Sequence, residues 1–597
     1  MQLRGFLEDI QSRNIDLRRV TSSPPPLTST SSLPFHLQPP SGTETCRRTR
    51  SQAPQAHAAV RSGDNPTLRK ALNSANAERD NWLTALRKEY HQLFESTLEP
   101  ISHSDIKSLP SCEFLHMTTK LVRKHNAADP SIIKYKARGC GDGSVFRNIW
   151  NDNFSPTVNS ITLSIIQNYS FLRNYKEYVV DTVGAYLYQE YPATKTPLIV
   201  TLEPLVVEAL GLPPSQKYRL KKYIYGLPDS GQAYYNAYSA LLAANNYTQS
   251  SLDPCLFFKT KDDGVIYLCF HVDDTYICTS NELLFNEFIA CVSTIFEITI
   301  SYNLECYIGI KQAYIQDVKI QSQPKLLASL FEKCNTKANN TVKTPLPSPS
   351  GKLRNETPVD RTLFLSILGS LIYLTRTRLD IAFAVSYLAS KATAPNISDH
   401  NDLLHVVQYT FQTQHHGLVF RRVPDGQPLQ LICYADASWL NYPDSRSQTA
   451  YTISFNNCGT FYGKSSKQTG VATSSTESEI NALFTLIQEL VYIDALCENI
   501  GVILIHPVIV YEDNEAAITL TTQLSSKNNH SKHFLHKINF CRQHAESGFI
   551  MLLKIDTELN NADLLSKALF AKDFQFKAQA VQGVQPGDEP IPPPKRK

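Results

Sequence analysis

Apolar positions along the chain change period several times, and each change marks an element. In DNWLTALRKEYHQLFES (80–96), Trp82, Leu83, Leu86, Tyr90, Leu93 and Phe94 recur at helical spacing. KEYVVDTVGAYLYQE (176–190) predicts a strand running into a turn and a short helix. GVIYLCFHVDDTYICTS (264–280) predicts two short strands with Asp273 and Asp274 near the hairpin tip. FLSILGSLIYLTRTRLDIAFAVSYLAS (364–390) is strongly helical in pattern. From residue 429 the period returns to two: Leu431, Cys433 and Ala435 alternate with Ile432, Tyr434 and Asp436, the pattern of a half-buried strand. Strand-like TAYTISF and GTFYGKSS follow.

STESEINALFTLIQELVYIDALCENIG (475–501) then predicts a long helix. Its apolar face carries Ile480, Leu483, Phe484, Ile487, Leu490 and Val491, Thr476 to Glu479 has capping-box spacing, and Gly501 closes it. HPVIVYEDNEAAITL predicts a strand with Asp513 at its end and then a helix. GFIMLLKID predicts another strand, and NNADLLSKAL a final helix with Asp563.

Loss of pattern sets the boundaries. Residues 21–65 are rich in Ser, Thr and Pro, too poor in apolar groups to offset ordering entropy, and VQGVQPGDEPIPPPKRK at the end reads alike. VKTPLPSPSGK (342–352) is a linker. The expected domains are a disordered tail at 1–65, a first folded domain at 66–345, a linker and helical connection at 346–428, a second domain at 429–570 and a disordered tail at 571–597.

Composition narrows the class little. The chain has 597 residues, 42% hydrophobic and 19% charged, as in a multidomain globular protein. A net charge of +3 leaves any basic surface local. The 13 cysteines are scattered without a CxxC pair, which suits a reducing intracellular setting. No apolar stretch approaches the ~20 residues of a membrane span, so no membrane partner is expected. The DSG tripeptide at 229–231 lacks the flanking apolar strands of an aspartic protease and reads as a turn. His530, His533, His536, Cys541 and His544 have helical spacing, and zinc is the minor reading of that group.

Candidate chemistry lies in carboxylates. Asp181 ends an apolar strand, while Asp273 and Asp274 sit on a hairpin. If both elements share one sheet, three carboxylates converge, and such a cluster needs cations to stay ionised. Oxygen-only ligation beside substrate phosphates suits Mg²⁺.

The ordered series VVDTVGAYLYQE, LKKYIYGLPDSGQAYYN, SLDPCLFF, YLCFHVDDTYI and LECYIGIKQ resembles reverse transcriptases of copia-type LTR retrotransposons. The resemblance extends upstream to NPTLRKALNSANAERDNWLTALRKEYHQL and downstream through FLSILGSLIYLTRTRLDIAFAVSYLA, about residues 65–570 in all. It implies a right-hand polymerase of fingers, palm and thumb, in an α+β and α/β multidomain chain. Asp181, Asp273 and Asp274 match the palm's metal-binding triad. Tyr186 matches the residue under the incoming sugar that excludes a 2′-OH, and Tyr225 and Gly226 the turn beside the nucleotide. Lys136 and Arg138 are the expected grips on its triphosphate. The chain departs from the family at His271, at SGQ (230–232) and at GCGDG (139–143).

The elements after residue 429 resemble the RNase H domain of the same retrotransposons, a mixed sheet with acids at strand ends and helix starts. Asp436, Glu479, Asp513 and Asp563 match its four metal-binding carboxylates, with Glu477 the rival of Glu479. The resemblance implies two Mg²⁺ ions per site, with Mn²⁺ as substitute. It implies as partners an RNA template, a DNA primer and product, an RNA–DNA hybrid, deoxynucleoside triphosphates, and the element's capsid and integrase. It also implies a cytoplasmic particle or the nucleus as location. The chain is expected to be a terminal Pol piece or a truncated reading frame. Two rival classes are a degenerate or host-adopted nucleic-acid-binding remnant without catalysis, and a self-assembling coat protein.

Overall fold

The apolar runs on either side of Asp273 and Asp274 pair with each other, as their alternation requires. In the computed structural model the strands Gly264–His271 and Asp274–Thr279 form a hairpin in which His271 faces Asp274. The structure describes residues 65–125, 133–146, 154–337, 341–347, 354–424, 426–522 and 533–584. The predicted tail before residue 65 lies outside them.

This hairpin lies inside a six-stranded sheet ordered Ile298–Ser301, Lys176–Thr182, Asp274–Thr279, Gly264–His271, Leu256–Lys261 and Thr248–Gln249. Its central strands are apolar on both faces: Val180, Leu268, Cys269, Tyr276 and Ile277 are all buried. Both faces therefore need cover. The helix Ser160–Leu172 packs against Asp274–Thr279, and Glu282–Val292 against that strand and its hairpin partner.

A second, five-stranded sheet precedes it, ordered Leu98–Ile101, Lys217–Leu220, Leu198–Thr201, Glu113–His125 and Ile133–Gly141. The amphipathic helix Arg79–Ser96 covers it with Trp82, Leu86, Tyr90 and Leu93. This unit has its own core, separate from the core of the rest.

A third sheet joins Cys306–Tyr307, Ile310–Ile315, Val318–Ser322 and the distant strand Leu418–Arg421. Helices fill the interval, and the strongly helical stretch 364–390 carries one interruption. The chain forms Arg361–Leu374, breaks, and resumes as Ala382–Ala389. The break is made by a buried ion pair. Arg378 donates two hydrogen bonds to Asp380, at 2.9 and 2.8 Å, and the Tyr409 hydroxyl donates to Asp380 at 2.7 Å. Burying both charges is tolerable only with their hydrogen bonds satisfied, and that holds Arg378 and the short 3-10 helix Leu379–Ile381 between the two α-helices.

The last sheet runs Thr460–Lys467, Gln448–Phe455, Leu431–Ser438, Val508–Glu512, Ile550–Lys554. The first three strands are antiparallel, and the last two add in parallel. The helix Ser475–Asn499 packs on Leu431–Ser438. Its N-cap is Ser474, whose side chain accepts the Glu477 amide, rather than Thr476. This helix also corrects the reading that no segment is long enough to span a membrane. By length and composition alone it would. Half of its most apolar stretch is buried in the protein, as in the core helix of a packed domain.

A further correction concerns the end of the chain. Residues from 571 were expected to be disordered, yet Ala571–Gln582 is a helix. Phe574, Ala578 and Val581 enter the core on one side of it.

Candidate functional site

Two sets of carboxylates are assembled, each where strands end. In the six-stranded sheet Asp274 stands directly opposite Asp181 on the neighbouring strand. The Thr182 amide donates to the carbonyl of Asp273 at 2.9 Å, so Asp273 is tied to the same strand end. Val272, at φ 63°, makes the left-handed turn that brings both aspartates to this edge. The cost posed by adjacent acids is visible. Burial, then the charges of Asp273 and Asp181, push the Asp274 carboxyl up to about 7. Burial and Asp181 also raise Asp273, against the pull of Arg138 and Lys136. A divalent cation would relieve both effects.

The expected nucleotide-site residues surround these acids. Gly184, at φ 63°, starts the 3-10 turn Ala185–Tyr188 that turns Tyr186 back onto the sheet. Tyr186 packs edge-on against Tyr225, centroids 4.8 Å apart, and against Tyr234 at 6.3 Å. Burial and the charge of Asp273 push the Tyr186 hydroxyl up to about 12, so it stays a neutral donor. The Arg138 guanidinium lies over the Tyr225 ring, 4.4 Å from its centroid.

The unusual GCGDG segment has a steric reason. Gly226 has φ 96°, and a Cβ there would strike the Gly141 carbonyl, while a Cβ on Gly143 would strike the Gly226 carbonyl. The Gly141 amide donates to the Tyr225 carbonyl at 2.7 Å. Two backbones thus touch at the edge of the first sheet's core, and only glycine fits.

Sequence reading missed part of the basic surface. In the register of Glu113–His125 with Ile133–Gly141, Lys120 faces Arg138, Val122 faces Lys136 and Lys124 faces Lys134. Opposed residues of an antiparallel pair share a face, so these cations form one stripe. Lys136 and Lys124 are near enough to act on the aspartates. Burial and Arg138 lower the Lys136 ammonium. The signal was present as alternation in TTKLVRKH and IKYKAR.

In the last sheet Asp436, Glu479 and Asp513 bring one oxygen each within 4.8 Å of one another. Glu477 points elsewhere: it accepts from the Thr473 amide at 2.7 Å and hydroxyl at 2.8 Å, and meets His533 Nε2 at 3.0 Å. Asp563 is not in the trio. Its carboxylate is held by Lys567 and, at 2.9 Å, by Lys577 from the C-terminal helix. Lys567 also reaches Asp436, at 3.8 Å. Burial, partly offset by Lys567, pushes Asp436 up to about 8. Burial and neighbouring carboxylates likewise raise Glu479 well above the ordinary range.

The residues fit a cation there. The Glu479 Oε2 atom is buried without a hydrogen-bond partner, and so is Oε2 of Glu512, a residue that sequence reading passed over. Among the described residues no histidine–cysteine set converges as zinc would need. His530 lies outside them, and His544 Nδ1 pairs with the Phe540 carbonyl at 2.9 Å. Asp229 of the DSG tripeptide pairs with Lys195.

Comparison with known proteins gives a consistent set of similarities. A family model described as reverse transcriptase (RNA-dependent DNA polymerase) matches residues 105–348. The retrovirus-related Pol polyprotein from transposon RE2 of Arabidopsis thaliana is 28% identical over 470 residues, 78% of this chain and 32% of that protein. The corresponding polyprotein from transposon TNT 1-94 of Nicotiana tabacum is 24% identical over 473 residues, 76% of this chain and 34% of that protein. The chain spans about a third of the length of these curated relatives. Among solved structures, the foamy viral protease-reverse transcriptase in complex with double-stranded DNA is similar with a TM-score of 0.42 and 11% identity, over 83% of each chain.

Proposed function

We propose, from the match of residues 105–348 to a reverse transcriptase family model and the similarity to Pol polyproteins of transposons, that the chain is an RNA-directed DNA polymerase coupled to a ribonuclease H. One observation carries the first half: Asp181 and Asp274 stand opposite each other with Asp273 hydrogen-bonded to the same strand end. The trio Asp436, Glu479 and Asp513 supports the second half.

In the first site Asp181, Asp273 and Asp274 would hold Mg²⁺, or Mn²⁺ in its place, and in the second Asp436, Glu479 and Asp513 would, with Asp563 beside them. Cations bound there supply counter-charge and Lewis acidity for in-line displacement at phosphorus. The chain's own groups do the rest. Tyr186 offers a flat wall to the incoming sugar, braced by Tyr225 and Tyr234, and leaves no room for a 2′-OH. Tyr225 and Gly226 form the floor beside the base. Lys136 and Arg138 hold the triphosphate, and the stripe through Lys120, Lys124 and Lys134 follows the template backbone. The primer 3′ hydroxyl attacks the α-phosphorus, and pyrophosphate leaves.

At the second site the RNA strand of an RNA–DNA hybrid is cleaved, with selectivity from its 2′ hydroxyls and duplex shape. Backbone contacts make binding weaken with salt. Template RNA, DNA primer and product, hybrid and deoxynucleoside triphosphates are the proposed partners, together with capsid and integrase. The proposed location is intracellular, in a cytoplasmic particle or the nucleus.

The test is primer extension on an RNA template with Mg²⁺, beside cleavage of a labelled hybrid. Asp273→Asn is expected to lower extension by about 10²–10³-fold or more and spare cleavage, and Asp436→Asn the reverse. Wild-type protein that binds hybrid yet neither extends nor cleaves would favour the non-catalytic remnant.

A further inference from the structure

Glu512 ends the strand Val508–Glu512, where Val508, Val510 and Glu512 are the buried row. A carboxylate thus stands where the pattern calls for a third apolar side chain, with an exposure of 0%. One of its oxygens serves the backbone, since Oε1 accepts the Asn514 amide at 2.9 Å and so fixes the turn that carries Asp513. The other oxygen, Oε2, is buried with no hydrogen bond of normal geometry. No lysine or arginine is paired with Glu512 among the described residues; its charged neighbours are Asp436, Asp513 and Glu479. An isolated buried carboxylate oxygen is among the most unfavourable groups a protein can hold, unless positive charge arrives. Glu479 Oε2, also buried and unpartnered, belongs to the same group of acids.

We propose that Glu512 is an additional carboxylate of the second site, placed so that Oε2 serves bound divalent cation while Oε1 positions Asp513. This rests on the reading of Asp436, Glu479 and Asp513 as a cation site. It gives that site one more negative charge than the four acids legible from fold order. Glu512 acts on a bound cation through the charge on Oε2, so affinity depends on that charge, whereas its hold on Asp513 through Oε1 does not.

The experiment uses the full chain with Asp181, Asp273 and Asp274 changed to Asn, so that the first site is silent. Mn²⁺ binding is followed by titration calorimetry, and thermal unfolding is recorded in chelator and in Mg²⁺. Glu512→Gln keeps the acceptor for Asn514 and removes the charge. It is expected to raise the unfolding midpoint in chelator, to shrink the Mg²⁺-induced rise, and to weaken Mn²⁺ binding about ten- to hundredfold. Glu512→Met also removes the acceptor and is expected to lower the midpoint in chelator. Wild-type Mn²⁺ affinity in Glu512→Gln, with only Glu512→Met destabilised, would mean a purely structural role and overturn the proposal. Asp436→Asn separates the two levels. If it loses Mn²⁺ binding while Glu512→Gln keeps it, only this inference fails. If neither change weakens Mn²⁺ binding, the cation-site reading fails with it.

Discussion

Single side chains in this protein are best understood by what they prevent. Tyr186, wedged between Tyr225 and Tyr234, is proposed to block one face of a nucleotide pocket. Tyr186→Val opens that wall and is expected to cut the preference for deoxy- over ribonucleotides by about 10–200-fold, read from competitive incorporation. His416 shows a different constraint. Burial, with the nearby Arg378, lowers its ring from 6.5 to about 4. Below pH 6.5 the unfolded chain takes a proton that the folded ring refuses. Its contribution to stability is therefore present above that value and lost as the pH falls through about 4. Acid unfolding of His416→Leu should be correspondingly less steep between those limits, and an unchanged profile would remove His416 as the cause. Residue types and their order along the chain made the acids legible. Glu512 was not, because the neighbouring Asp513 already matched the family and only packing shows which of two adjacent acids is buried.

Elements show where pattern reading fails. The alternation around Asp273 predicted its hairpin because turn, period and register agree there. The stretch 364–390 is helical as its apolar content suggests, but its break was hidden, because the Arg378–Asp380 pair there acts through space on Tyr409 and Thr413. The C-terminal helix was hidden for a similar reason. In Ala571–Gln582 the helical row Phe574, Ala578 and Val581 is joined by a charge that serves as anchor: Lys577 donates to the carbonyls of Thr557 and Asn560, at 2.6 and 2.8 Å, and to Asp563. Lys577→Met should leave Asp563 short of a buried partner and destabilise the protein by about 3–5 kcal/mol, measured by denaturant unfolding. Hybrid cleavage should fall with it, because the turn bearing Asp563 loses three of its fastenings. Ending the chain at residue 570 should have the same effect on both readings.

At the scale of the molecule the division into cores is not the one that the linker at 342–352 suggests. The first sheet, with Trp82 and Tyr90, has a core of its own, whereas one continuous core runs from Val158 to Val581. The central sheet and the last domain touch directly: the Tyr267 hydroxyl donates to the Ile500 carbonyl at 3.1 Å, and Thr162 meets Tyr492 at 3.3 Å. Side-chain packing between segments hundreds of residues apart leaves no mark in local periodicity, which is why the sequence suggested a boundary near 428. A fragment starting at residue 429 should therefore be poorly soluble and lack a cooperative thermal transition, while the full chain shows one transition shared by probes in both sheets. Separate transitions for probes in the central sheet and in the last sheet would contradict the shared interior. That interior also ties the fates of the two carboxylate sites together. Damage deep in either half, from heat, oxidation of a buried thiol or a truncated side chain, spends the same reserve of stability, so neither site can be lost to wear while its neighbour survives.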